Sequence, residues 1–429
     1  MIAGGEPAAA GPDGPRDDRG GTAARPSAPA GGPLAGLRVL DAASLYAAPL
    51  LASLLADQGA DVVKLEPPGG DAYRATGFWP LVARGKRSIM LDPADADGRA
   101  ALRGLVAVAD VVVVNEPAAR LAARGLDPDT MLAVNPRLVV AHVSGYGADG
   151  PAAGRPGNGT MGEAFAGLTH MTGDAGGPPM LPSVPLGDAV MAYAGAFGVA
   201  AACHDVRVNG APGRVVDVNP VEAMLHVVGP TLVSAAAQLA AGAEPPGRLG
   251  GGLAGSALRD VFACADGRWL AVSVSTPRQL RDLAAVVGAP TGTAGEALGE
   301  AVRIWAGGLD RAEAVQRLAA ARLPGAPVNT AHDVVSDPHL RHRRALRTLR
   351  TPDGMTVTVP APAPRAAGDP ATRDPATHDP ATGGDPATGG DPDAGVLPTA
   401  GQHTGEVLRE WTAPAHEPAS AQEPAASAK

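Results

Sequence analysis

Apolar residues fall into short blocks along the chain, and the spacing within each block predicts an element. Residues 37–41, 62–66, 88–91, 110–114 and 138–143 are brief runs rich in Val, Leu and Ile. Continuous apolar runs of that length predict strands buried on both faces. Residues 47–58 and 96–107 lie between them and carry apolar positions at helical spacing. The alternation of strand and helix argues for a parallel sheet covered by helices on both faces. Two long Ala-rich segments, 188–205 and 220–239, follow as helices, with a strand at 215–218 between them. The most apolar stretch, 189–202, has 14 residues. That is too short to span a bilayer and predicts a buried helix.

The pattern changes past residue 245. Residues 258–263 and 269–273 flank Ala265-Asp266-Gly267, a break that signals an antiparallel hairpin. Helical periods follow at 277–287, 295–306 and 311–321. A second hairpin is expected at 346–350 and 355–359 around Asp353-Gly354, and a last helix within 401–411. A smaller α+β domain is therefore expected after the α/β one. Residues 1–33 hold 14 Gly or Pro and no aromatic ring, which predicts a disordered arm. Residues 412–429 predict a disordered tail. A DPAT repeat starts at Asp369, Asp374, Asp379 and Asp385. Its period is too short for a solenoid unit, so 366–395 read as a flexible insertion.

Composition narrows the function. Of 429 residues, 45% are hydrophobic, which excludes a chain disordered throughout. Glycine and proline are abundant but follow no Gly-X-Y period, which excludes collagen. Four Phe, four Trp and four Tyr leave few rings for stacking on single-stranded nucleic acid. A net charge of −9 lacks the basic footprint of a general nucleic-acid binder. Cys203 and Cys264 form no CxxC pair, so a reducing cytoplasm is expected rather than a disulfide framework. The opening residues lack the basic and then apolar pattern of a signal peptide.

No Walker A, HExxH, GxSxG or zinc spacing occurs, and no metal is expected. Gly145 to Gly150 fits GxGxxG, but Pro151 and a run of Ala, Gly, Arg and Pro follow it. It reads as a plain glycine loop rather than a dinucleotide fingerprint. Asn158-Gly159-Thr160 matches a glycosylation sequon without a secretory context. Basic residues gather at Arg84-Gly85-Lys86-Arg87-Ser88. The cluster reads either as a phosphate clamp or as a solvated turn. Asp188 directly precedes the apolar helix. A carboxylate there reads either as an N-cap or as a nucleophile for an acyl group beside oriented amides.

Several segments then occur in one order. They are LAGLRVLD at 34–41, LLADQGADVVKLEPPGGDAYR at 54–74, GKRSIMLD at 85–92, Asn115, NPRLV at 135–139 and SGYG at 144–147. GDAVMAYAGAFGVAAA at 187–202, PGAPVNT at 324–330, Asp337-Pro338 and GQHTGEVL at 401–408 follow. Together they resemble the family III CoA-transferases, the formyl-CoA and carnitine CoA-transferase group, whose superfamily includes α-methylacyl-CoA racemases. The match covers roughly residues 34–365 and 396–411.

The resemblance implies a Rossmann-like large α/β domain with a smaller α+β domain, in an interlocked homodimer. Residues 34–225 would form the large, CoA-binding domain. Residues 226–330 would form linker helices and the small domain, and 331–365 with 396–411 a return segment completing the large one. The implied activity moves CoA between an acyl-CoA thioester and a small carboxylic acid. Coenzyme A or acyl-CoA would be substrate, no cofactor would be tightly bound, and neither nucleic acid nor membrane would be a partner. Asp188 would form an acyl anhydride and then a thioester with CoA. Leu45, Tyr46 and Ala47 after the first strand would contact CoA. Lys86 and Arg87 would take its phosphate end, and Asn115 would open the loop after the fourth strand. Lys64 and Glu66 belong to the KxEPPGGD signature. Gly250-Gly251-Gly252 reads as the glycine loop of some members or as an ordinary loop. The composition suggests a bacterial source.

Three departures stand out. The family's ENFRPG reads Asn115-Glu116-Pro117-Ala118-Ala119-Arg120, so the aromatic ring and the RPG turn are lost. The (Y/F)DxxxQAxxGL motif reads NGTMGEAFAGL over 158–168. Racemases carry a catalytic histidine there, and the aligned residue is Asn158, which disfavours a two-base α-proton exchange. The DPAT insertion precedes the terminal segment, where a longer surface loop is tolerated.

Overall fold

The computed structural model describes residues 32–364, except 246 and 254, and residues 396–412. The DPAT insertion, nearly all of the arm and the tail past 412 lie outside the described residues. Six strands form one parallel sheet: β1 (Arg38–Asp41), β2 (Asp61–Glu66), β3 (Lys86–Met90), β4 (Val111–Val114), β5 (Val139–Val143) and β6 (Arg214–Val218). They lie in the order β3-β2-β1-β4-β5-β6. The winding reverses between β1 and β4. Ligands of doubly wound sheets bind outside the carboxyl ends of the strands at such a switch point.

The helices of this half are α1 (Ala47–Asp57), α2 (Trp79–Ala83), α3 (Ala96–Val108), α4 (Ala118–Arg124), α5 (Pro128–Val134), α6 (Gly159–Phe165), α7 (Leu168–Met171), α8 (Leu186–Val208) and α9 (Pro220–Ala240). Successive strand residues face opposite sides, and this sorts the valines. Val39, Val62, Val111, Val113 and Val139 join α1 and α8 in one core. Leu40, Val63, Val112, Val114 and Val140 join Leu105, Leu121 and Met131 in a second. Every residue of β4 is buried, which explains its unbroken Val-Val-Val-Val. Each such side chain contributes about 1.5–3 kcal/mol of apolar burial.

The helix around 189–202 is longer than expected. α8 has 23 residues and α9 has 21, and by length and composition both could cross a membrane, with mean hydropathy 1.4. The expectation of a helix too short to span is thus corrected: Leu186 to Asp188 and Cys203 to Val208 extend it at both ends. α8 serves the core through Met191, Val199, Ala202 and Val206. At Gly195 an added Cβ would lie 2.4 Å from Leu51 and 2.9 Å from Val218, so glycine lets α8 close on α1 and β6.

The middle of the chain builds its own core. β7 (Leu258–Ala263), β8 (Trp269–Val274) and β9 (Gly325–Pro327) form an antiparallel sheet. α10 (Pro277–Val286), α11 (Gly295–Gly307) and α12 (Arg311–Ala320) cover it through Leu283, Val302 and Leu318. α9 runs unbroken through residue 225, where the large domain was expected to end. α13 (Ala331–Ser336) and α14 (Pro338–His342) lead back to a hairpin, β10 (Leu346–Arg350) and β11 (Thr356–Pro360). Leu349, Val359 and Leu397 enter the first core. α15 (Thr404–Thr412) places Val407 and Trp411 in the second. Ser88 of the edge strand β3 accepts from the Gly401 and His403 N–H groups at 2.8 Å each, so the return segment covers that edge.

Candidate active site

At the switch point the loop after β1 meets Asn115, which follows β4. Ser44 N–H donates to Oδ1 of Asn115 at 3.0 Å, and Asn115 Nδ2 donates to the Ser44 carbonyl at 2.8 Å. Asn115 therefore binds the main chain of the loop on which CoA was expected. Leu45 adopts φ = 67°, a left-handed conformation that costs a non-glycine residue about 1–2 kcal/mol. Its side chain is 62% exposed. Strain of this kind collects at ligand sites. Tyr46 precedes α1 and packs on Phe78, with ring centroids 5.2 Å apart. Ala47 opens the helix and is buried. The crevice, of about 220 Å³, is lined by Ala43, Ser44, Pro67, Asp71, Glu116 and Arg124 among others. Arg124 pairs with Glu116 at 3.0 Å.

Asp188 is the third residue of α8, and Pro185 holds the cap position without a side-chain bond. The N-cap alternative is thereby corrected. The carboxylate leaves its own helix, and Oδ1 accepts from the Gly159 N–H at 3.1 Å. Gly159 opens α6, which is capped by Asn158 accepting from the Met161 N–H at 3.3 Å. The carboxylate thus lies at the positive ends of two helices. Glu163, on α6 and 2% exposed, accepts from the Gly187 N–H at 2.8 Å. The approach demands glycine on both sides. A Cβ at Gly159 would lie 2.3 Å from the Asp188 nitrogen and 2.5 Å from Oδ2, and one at Gly187 would lie 2.3 Å from the Gly159 carbonyl oxygen.

Burial raises the Asp188 carboxyl above its ordinary range; the Gly159 N–H opposes this, and the charge of Glu163 adds to it. The phenols of Tyr46 and Tyr73 are raised too, first by burial and also by the nearby Asp188 charge. α1, which follows the loop after β1, packs on α8, so the two segments, far apart in sequence, are neighbours in the fold. Among the described residues no hydrogen bond engages Oδ2 of Asp188.

The basic cluster is used elsewhere, which corrects the phosphate-clamp expectation. Lys86 is buried, and its Nζ donates to Oδ2 of Asp41 at 2.7 Å and to the Pro49 carbonyl at 2.6 Å. Burial pushes this ammonium down to about 8, against the pull of Asp41. Arg87 pairs with Asp61 at 2.7 Å, Glu406 at 2.8 Å and Glu410 at 2.6 Å. It fastens α15 to the sheet. Arg84 pairs with Asp57 at 2.7 Å. The period of two along β3 sends Lys86 inward toward α1 and Arg87 toward α15. The KxEPPGGD signature is an internal bracket. Lys64 donates to the Ala43 carbonyl and lies 3.3 Å from Asp71. Glu66 accepts from Arg74 Nε at 2.6 Å and from the Asp71 N–H at 2.9 Å.

Gly250, Gly252, Leu168, Met171, Val227 and Arg259 line a hollow of about 370 Å³. It lies past the C-terminal end of α6, whereas Asp188 sits at the N-terminal end. Gly251 accepts from Arg259 Nη1 at 2.7 Å. Neither Glu163 nor the close approach of Gly159 was foreseen. The only sequence trace of Glu163 is its place in the 158–168 motif.

The family model described as CoA-transferase family III matches residues 34–386. The beta subunit of succinyl-CoA–L-malate CoA-transferase from Chloroflexus aurantiacus is 32% identical over 410 residues, covering 88% of this chain and 94% of that protein. Succinyl-CoA:mesaconate CoA-transferase from Haloarcula hispanica is 31% identical over 376 residues, covering 78% and 93%. The solved structure of a CaiB/BaiF family protein from Brucella suis superposes with a TM-score of 0.72 at 24% identity, covering 89% of this chain and 100% of that one. It supports the fold. With the family's segments in order on a doubly wound sheet, the chain belongs to CoA-transferase family III and is an enzyme.

Proposed function

We propose that the enzyme transfers CoA from an acyl-CoA thioester to a carboxylic acid through Asp188. The observation that carries this reading is the half-buried Asp188 carboxylate, whose Oδ1 accepts from one amide while Oδ2 has no hydrogen bond among the described residues. Oδ2 attacks the thioester carbonyl; a C–O bond forms, the C–S bond breaks, and CoA leaves as the thiolate. The thiolate attacks the Asp188 side-chain carbonyl of the anhydride and expels the donor acid as its carboxylate. The acceptor carboxylate then attacks the aspartyl thioester, releasing CoA thiolate and forming a second anhydride. Attack of that thiolate on the acceptor carbonyl yields the new thioester and frees the Asp188 carboxylate.

Succinyl-CoA with malate or mesaconate as acceptor is the first pair to test, because the similar transferases named above carry those substrates in their names. Purified protein is expected to convert such pairs into new thioesters. Absence of exchange across a panel of dicarboxylic acids, with no hydroxamate at Asp188 under hydroxylamine, would defeat the reading.

We also propose that the active form is a homodimer, in the cytoplasm. Two buried free cysteines are consistent with a reducing compartment. Phe197 on α8 is 78% exposed, and Val227, Val233 and Leu239 on α9 are 46%, 74% and 60% exposed. An apolar surface of that extent calls for a partner, and a second copy presents the same surface. Sedimentation at micromolar concentration is expected to give twice the 42.6 kDa chain mass; a monomer there would contradict it.

A further inference from the structure

We propose that Glu163 is the positioning residue that sets the reactivity of Asp188: its buried carboxylate holds the Gly187 N–H, and its negative charge stands beside the nucleophile. This rests on the reading of Asp188 as the acyl acceptor. Gly159 and Glu163 are four residues apart on α6 and so share one helical face. Gly159 holds Oδ1 of Asp188 at 3.1 Å, and Glu163 holds the N–H of the preceding residue at 2.8 Å. Together they clamp the turn that presents the nucleophile.

The hydrogen bond alone does not call for a carboxylate. A neutral amide accepts from Gly187 equally well, and the motif aligned with 158–168 carries glutamine at this place. A buried anion is costly without a counter-charge. Glu163 is 2% exposed, and among the described residues no cation pairs with it. Its charge has a use beside a second carboxylate. Like charges at close range keep a carboxyl basic, and a more basic carboxylate is the stronger nucleophile toward a thioester. Burial is the main cause that raises the Asp188 carboxyl, and the Glu163 charge adds to it. The other titratable groups that sense Asp188 are Tyr46, before α1, and Tyr73, on the 3₁₀ turn Ala72–Ala75. α9, packed on α6 and α8, brings Glu222 and His226 into a separate hollow with Ala194 and Gly198.

The test is Glu163→Gln, which keeps the acceptor and removes the charge. The pH dependence of carbodiimide coupling at Asp188, read by peptide mass spectrometry, reports its titration without turnover. The midpoint is expected to fall by about half a unit or more. The acid limb of kcat/KM for succinyl-CoA should move the same way, and its plateau should drop roughly threefold. Thermal stability should not fall, because the amide keeps the bond to Gly187 and removes an unpaired buried charge. Glu163→Ala should reproduce the shift and also lower stability, because the Gly187 N–H loses its partner. Unmoved labelling midpoints or superimposable pH profiles for Glu163→Gln overturn the proposal. Wild-type enzyme without exchange would defeat the Asp188 reading instead, and the labelling midpoint would still decide whether Glu163 acts on Asp188.

Discussion

Asp188→Ala is expected to abolish CoA exchange, lowering kcat/KM by about a thousandfold or more, as loss of a covalent nucleophile does. Asp188→Asn should be as inactive. It keeps the shape and an oxygen for the Gly159 N–H, but it has no anionic oxygen to attack a thioester. Binding of CoA should change little in either variant, because the crevice at β1 and β4 does not use Asp188. The pair of variants separates chemistry from scaffolding. Exchange rates within tenfold of wild type would remove Asp188 from the reaction. Lost CoA binding would show that Asp188 shapes the site rather than reacting.

Lys86→Met should be the most destabilising single change named here. The ammonium satisfies Asp41 and the Pro49 carbonyl inside the protein. Asp41 is fully buried, and its remaining cation, Lys64, lies 3.9 Å away. Removing one partner of a buried ion pair typically costs about 3–5 kcal/mol; Lys64 should hold the loss near 3 kcal/mol. Urea unfolding of the two proteins measures it. A difference below about 1 kcal/mol would mean that Asp41 sheds its charge or gains water. The effect should reach function as well. Asp41 Oδ1 accepts from the Ala43 N–H at 3.2 Å, and Lys64 holds the Ala43 carbonyl. The loop after β1 rests on this buried network; if it contacts CoA as proposed from the sequence, the surviving Lys86→Met enzyme should show a higher KM for acyl-CoA.

Both predictions turn on features of unequal visibility in the sequence. The five strands between 37 and 143 were legible because a two-sided parallel sheet needs continuous apolar runs, and such runs are local. The hairpin at β7 and β8 and helices α10 to α12 were legible from the Ala265-Asp266-Gly267 break and from helical periodicity, which are also local signals. The seven-residue helices α4, α5 and α6 were not, because two turns give too little periodicity to read. β9 was missed because Gly325-Ala326-Pro327 carries no strand propensity; its pairing with β8 is imposed by the sheet. Asp188 was visible as a candidate through its place before an apolar helix. Lys86 and Arg87 were misread because two adjacent basic residues look like a surface cluster until strand register sends them to opposite faces.

The sequence by itself determined the strand and helix alternation and the existence of a separate core in the middle of the chain, and it singled out Asp188 as the candidate for acyl chemistry. These follow from hydrophobic periodicity and from short motifs, which operate over a few residues. The tertiary structure alone decided that Lys86 is buried on Asp41, that Asn115 ties the loop after β1, and that Gly159 and Glu163 clamp the start of α8. Those pairings join residues 24 to 71 positions apart. Close packing of the sheet and helices selects them, and no local pattern of polar and apolar positions encodes which buried charge meets which.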